Sequence, residues 1–253
     1  MCLIVLAWKS HADYRLIFAA NRDELHARPS AEADWWPDAP DILAGRDLEA
    51  GGTWLGMHRS GRFATVTNYR EQQAPRRGLR SRGEIVSDFI SGDADPLSHV
   101  ASVVDGPYAG VSVLAADSDR LCYASNRGDA ARALAPGVYG LSNASLDTPW
   151  SKLVRSKQAL RALLDDNRVD CEKLLDILAD RTQASAEEVS SDGQSVSLAK
   201  AFSAPFIVNP EYGTRCSTAV LVANSGEVEF FERRFDSAGE ISGESAFTFD
   251  TRA

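Results

Sequence analysis

Cys2-Leu3-Ile4-Val5-Leu6-Ala7 is an unbroken apolar run with β-branched residues at the very start of the chain. A run this short, without alternation, reads as a strand covered on both faces. The N-terminus is therefore expected inside the molecule. Leu16-Ile17-Phe18-Ala19-Ala20 follows the polar His11-Ala12-Asp13 at a spacing that suits a hairpin, and its end carries Asn21-Arg22-Asp23-Glu24.

With 253 residues, 44% of them hydrophobic and 25% charged, the chain can bury a substantial core, and one domain over residues 1–253 is expected. A net charge of -9 argues against whole-surface binding to nucleic acid or anionic lipid, so nucleic acid is not an expected partner; a small-molecule ligand or substrate, argued below, is. The four cysteines show neither CxxC nor CxxH spacing, which excludes a zinc knuckle or a small disulfide framework. No basic, apolar and cleavable leader opens the chain, and no window approaches the ~18 apolar residues of a membrane span. A reduced, cytoplasmic setting without an integral membrane segment is expected.

Residues 27–48, rich in Pro, Asp and Ala, read as a loop. Gly51–Met57 and Arg62–Thr67 read as a hairpin turning at Ser60-Gly61, with Asn68 closing the second strand. Residues 69–82 read as a basic loop. Helices are expected over Glu84–Ile90 and Pro96–Val104, and strands over Val111–Ala115, Leu121–Ala124 and Val138–Leu141. Asp147-Thr148-Pro149 resembles a helix start, with an N-cap residue before a proline. Apolar stripes then run through Leu153, Leu160, Leu163 and Leu164, and through Cys171, Leu174, Leu175 and Leu178. Strands are expected again over Thr218–Ala223, Val228–Phe235 and Ser245–Phe249. This order fits an α+β fold better than alternating βαβ units.

For chemistry, Cys2 stands out. A small penultimate residue normally permits removal of Met1, leaving a thiol beside a free α-amine. With reference pKa values near ~8.5 and ~7.7–8, the amine can take the thiol proton close to neutral pH. Alone, such a cysteine is more often a small buried hydrophobe. Polar residues at strand ends shift the balance: Asn21, Asp23, Asn68 and Asn143 each border an apolar run. Amides can donate to an oxyanion and a carboxylate can orient an ammonium, although most Asn and Asp at such places form turns. The four histidines form no HExxH motif or close pair, so no protein-bound metal is expected. Gly51-Gly52 is not GxGxxG, and no GxSxG elbow is present. Arg70 and Arg82 bound a basic loop able to hold substrate carboxylates, although a solvated loop is the commoner meaning of such a run.

Met1-Cys2-Leu3-Ile4, Asn21-Arg22-Asp23-Glu24, Gly51-Gly52-Thr53-Trp54-Leu55-Gly56, Thr67-Asn68-Tyr69-Arg70, Ser81-Arg82-Gly83-Glu84, Leu141-Ser142-Asn143 and Tyr212-Gly213-Thr214-Arg215 occur in that order. Together they resemble the NRDE family, also called the Transport and Golgi organisation protein 2 family, over residues 1 to about 223. That resemblance implies an N-terminal-nucleophile hydrolase fold, an αββα sandwich of two antiparallel sheets between helix layers. A more distant resemblance, to cysteine acylases such as bile salt hydrolases and penicillin V acylases, implies Cys2 as nucleophile and Asp23 as the amine's partner. It further implies Asn143, with Asn68, as oxyanion donors and Arg215 as a charge near the thiol. Those acylases place an arginine immediately before the Asn of the strand-end motif; here that position is Ala20, and Arg22 follows instead.

The expected function is thus an N-terminal cysteine amidohydrolase acting on a non-peptide amide, needing no cofactor, with Asn21, Arg22, Arg70 and Arg82 as substrate-binding candidates. The alternative implied by the family is haem binding or trafficking on a catalytically inactive hydrolase fold, with haem as a bound ligand.

Overall fold

The computed structural model describes residues 2–71, 78–185, 187 and 196–252. Two all-antiparallel sheets face each other. The first is built from β1 (Cys2–Trp8), β2 (Tyr14–Leu25), β10 (Gly137–Leu141), β11 (Tyr212–Ala223), β12 (Glu227–Phe235) and β13 (Ile241–Asp250), in the order β10-β1-β2-β11-β12-β13. The second runs β3-β4-β5-β6-β7-β8-β9, from β3 (Ser30–Trp36), β4 (Ala39–Asp47), β5 (Leu55–His58), β6 (Phe63–Asn68), β7 (Val111–Ala116), β8 (Leu121–Ser125) and β9 (Arg132–Ala133).

The side-chain alternation of β1 explains why its run is apolar throughout. Ile4, Leu6 and Trp8 join the core between the sheets, while Leu3, Val5 and Ala7 pack beneath α3 (Ser151–Asp165) and α4 (Cys171–Leu178). On the other sheet, Ala64, Val66, Val111 and Val113 pack against α1 (Arg82–Ser91) and α2 (Pro96–Val104). The result is the expected α+β sandwich of two sheets between two helix layers. A short α5 (Val196–Ala201) precedes β11. No helix among the described residues is long and apolar enough to cross a membrane.

Two expectations are corrected. Residues 27–48 form the hairpin β3–β4 and not a loop. Its prolines lie at or near the hairpin's turn, and register shifts between Ala31 and Asp34 and between Trp35 and Trp36 erase the alternation by which a strand is read. Arg46 fixes the turn, stacking 4.3 Å over Trp36 and donating to Asp38. The helix start at Asp147 is also displaced: α3 begins at Ser151, with Trp150 as N-cap and no side-chain cap. Asp147 instead adopts φ 60, accepts from the Gly140 N–H at 2.8 Å and pairs with Lys157, so it closes the turn out of β10.

Phe18 of β2 meets Phe63 of β6 edge-on at 4.9 Å, joining the two sheets at a fully buried point. Phe18→Ala is expected to destabilise the protein by about 3–5 kcal/mol, read as a lowered urea midpoint with an unchanged slope.

Candidate functional site

Pairing places the motif residues. In the β1–β2 register Cys2 stands opposite Arg22, and in the β2–β11 register Arg22 stands opposite Cys216 while Asp23 stands opposite Thr214. Ala20 pairs with Ile4. A shift of two residues along a strand preserves the face, so Arg22 occupies the inter-sheet side that Ala20 shares, about 6.6–6.8 Å further along and abreast of Cys2. Arg22 is only 6% exposed, and its guanidinium carbon lies over Trp54, 4.0 Å from the ring centroid. Trp54 is itself seated over Gly45, where a Cβ would stand 2.5 Å from the indole.

Cys2 is held by its main chain. Its nitrogen lies 3.3 Å from Asn143 Oδ1, and its carbonyl accepts from Ser142 Oγ at 2.7 Å. Asn143 Nδ2 donates to the Asn68 carbonyl at 2.8 Å. That carbonyl only accepts, so it fixes the amide's orientation and turns the oxygen of Asn143 towards the residue-2 nitrogen. Thr67 Oγ1 secures the same turn by donating to the Ser142 carbonyl at 2.7 Å. Burial pushes the Cys2 thiol up, and the Asp23 carboxylate pushes the same way; the Asp23 backbone N–H and Arg22 favour the thiolate.

Behind Cys2, Asp23 Oδ1 accepts from Thr214 Oγ1 at 2.7 Å, and Thr214 Oγ1 accepts in turn from the Ile207 N–H at 2.9 Å. Lys152, the second residue of α3 and 3% exposed, brings a cation to this cluster. Burial raises Asp23 and lowers Lys152, while the attraction between the two opposes both shifts.

A cleft of about 530 Å³, within the range of small-molecule sites, opens on Cys2, Arg22, Asp23, Asn68 and Arg82. A second, separate cavity of about 10 Å³ shares Cys2, Arg22 and Trp54 with it and has space for roughly one water.

Two candidates, Arg215 and Asn21, are placed elsewhere than expected. Arg215 is the extra residue of a β-bulge between Thr214 and Cys216, and its Nη1 donates to the carbonyls of Leu25, His26 and Arg28, so Arg22 and not Arg215 flanks the thiol. Asn21, 1% exposed, donates to the carbonyls of Leu178 and Pro205 and accepts from Ser217 Oγ. It ties α4 to the sheet and has little capacity left for a ligand. Arg70 donates its backbone N–H to the Asn143 carbonyl and so supports that turn. In the basic loop, Arg76 and Arg77 lie outside the described residues.

Sequence reasoning missed Lys152, Ser142, Thr214 and Trp54 as parts of the site. Ser142, Thr214 and Trp54 stand within the quoted motifs, whereas a lone lysine early in an amphipathic helix carries no signal. Among the described residues the walls of the cleft mix charged, polar and small residues with Trp54, Val66 and Leu79 and include no histidine; His26 and His99 face backbone carbonyls and His58 faces Ser60. No cluster of three or more metal-ligating side chains occurs among the described residues.

A sequence model described as Transport and Golgi organisation 2 matches residues 1–237. The Transport and Golgi organization protein 2 homolog of Bos taurus is 38% identical and that of Homo sapiens 39%, each alignment covering 92% of both chains. Among solved structures, a Caenorhabditis elegans ortholog of N-acylethanolamine-hydrolyzing acid amidase is similar with a TM-score of 0.56 at 11% identity, covering 87% of this chain and 92% of that one. A mutant conjugated bile acid hydrolase from Clostridium perfringens gives a TM-score of 0.54 at 9% identity, over 98% and 92%. The fold is that of these N-terminal-nucleophile hydrolases.

In protein that retains Met1, iodoacetamide labelling of Cys2 is expected to reach half its maximal rate above the ~8.5 of an ordinary thiol. Arg22→Gln removes a positive charge and moves that midpoint higher; Asp23→Asn removes a negative charge and moves it lower. Mass spectrometry of the Cys2 peptide across pH checks both signs.

Proposed function

This chain belongs to the Transport and Golgi organisation 2 family, and from that footing we propose that it is an N-terminal cysteine amidohydrolase acting on a non-peptide amide. The observation that carries the reading is the residue-2 nitrogen seated on Asn143 Oδ1, with the Asp23 backbone N–H at the sulfur. Removal of Met1 would turn that nitrogen into an α-amine already anchored beside the thiol.

The amine takes the thiol proton, and the thiolate attacks the amide carbonyl. The second Nδ2 hydrogen of Asn143, its first being held by the Asn68 carbonyl, is the donor assigned to the oxyanion. The α-ammonium then returns its proton to the leaving nitrogen as the C–N bond breaks, giving a thioester and a free amine. Water, deprotonated by the same amine, adds to the thioester; C–S cleavage releases the acid and restores the thiol. Asp23, anchored by Thr214 and compensated by Lys152, keeps the ammonium oriented.

Intact mass is expected to show loss of Met1, and treatment with p-nitrophenyl acetate to add one acetyl group that Cys2→Ala abolishes. Full retention of Met1 would overturn the reading. In processed protein Asp23→Asn is expected to slow acetylation at pH 7 by about tenfold or more. That is opposite in sign to its effect on the thiol of unprocessed protein, because the carboxylate then acts through the amine.

A further inference from the structure

Among the described residues the cleft is lined by four arginines, of which two are committed. Arg28 pairs with Asp47 at 2.7 Å and Glu49 at 3.2 Å, and Arg80 with Glu84 at 2.6 Å and Asp88 at 2.9 Å. Arg22 and Arg82 have no carboxylate at ion-pair distance among the described residues. Arg22 Nη1 is a buried donor with no acceptor among them, and Arg82 makes one long bond, 3.4 Å, to the Gly110 carbonyl. A guanidinium cannot shed its charge, so leaving one buried without an acceptor costs stability unless something else supplies one.

We propose that Arg22 and Arg82 form a carboxylate-binding subsite beside Cys2, so that the cleft takes a compact, carboxylate-bearing molecule. Both residues line the cleft with Cys2, from opposite sheets' layers: Arg22 on β2 and Arg82 in the first turn of α1. The Trp54 ring backs the Arg22 guanidinium, 4.0 Å from its centroid to Cζ, and Nη1 is left without an acceptor, a need that the paired bonds of a carboxylate would meet. The second cavity is too small to receive it, so the ligand enters from the larger cleft.

The charge pattern limits the ligand further. Of the carboxylates that face this space among the described residues, Asp47 is paired with Arg28 and Asp23 is compensated by Lys152, which leaves Glu24 against Arg22 and Arg82 and so about one positive charge, less than a dianionic phosphate needs. A single carboxylate is the better match. Apart from Trp54, Val66, Leu79 and a few small residues, the described walls are charged or polar, which leaves no apolar lane for a long acyl chain. As a statement about substrate this rests on the amidohydrolase reading; as a statement about binding it stands alone.

The test is calorimetric titration of the full-length protein with butyrate, its neutral isostere butyramide, laurate and inorganic phosphate. Butyrate is expected to bind at least about tenfold tighter than butyramide, and Arg82→Gln to remove most of that preference while thermal melting confirms its fold. Arg22→Gln serves as a second variant where it folds. Equal binding of butyrate and butyramide, or a preference unchanged in Arg82→Gln, would overturn the subsite. Laurate or phosphate binding well ahead of butyrate would overturn the assignment to a compact carboxylate. Carboxylate binding without an acetyl adduct on Cys2 would leave the subsite standing and remove the hydrolase reading; the adduct without carboxylate preference would do the reverse.

Discussion

The pairing of β1 between β2 and β10 is the constraint on which the remaining geometry depends. Because β1 is covered on both faces, its register cannot slip by one residue without moving Ile4, Leu6 and Trp8 out of one core and Leu3, Val5 and Ala7 out of the other. That double penalty fixes where residue 2 ends the strand. It also fixes which residue of β2 lies abreast of it, and which residue after β10 meets its nitrogen. The turn at Ser142-Asn143 follows directly from β10, so the same hydrogen-bond ladder that builds the sheet delivers the amide to the residue-2 nitrogen.

The electrostatics of the region are those of ions held in place at a cost. Asp23 and Lys152 are both buried, and each is shifted towards neutrality by burial and back towards charge by the other. A buried pair of this sort adds little net stability, since desolvation offsets much of the attraction. What it provides is position: Thr214, bonded to Ile207, cannot move without disturbing the segment that leads into β11. A similar arrangement recurs at Glu232, whose buried carboxylate accepts from the Ala33 N–H at 2.9 Å and stitches β12 to β3 across the sandwich.

Much of this was legible in the sequence for a physical reason. Strands buried on both faces and helices with one apolar stripe write their environment into residue type, so β1, β2, β7, β8 and α2 were readable within a residue or two except for the polar extension of β2. The edge hairpin β3–β4 was not, because bulges and turn prolines remove the alternation. Within the site, Cys2, Asp23 and Asn143 converge as the motifs suggested, and Asn68 joins them through its main-chain carbonyl. Arg22 converges too, by a displacement of two positions that composition alone could not interpret, since it required knowing the face and partner of each residue. Arg215 was misplaced because a bulge re-aims a side chain with no mark in the sequence. Lys152 was missed because its burial depends on where α3 lands and not on its neighbours in the chain.

The seat of Trp54 has one more consequence. Its indole lies against Gly45 and under the Arg22 guanidinium, and it lines the Cys2 cleft. An excited indole is sensitive to adjacent charge, and anything that draws electron density from Arg22 or lifts it off the ring changes the local field. The protein thus carries its own optical gauge of the cleft, placed one side chain away from the nucleophile.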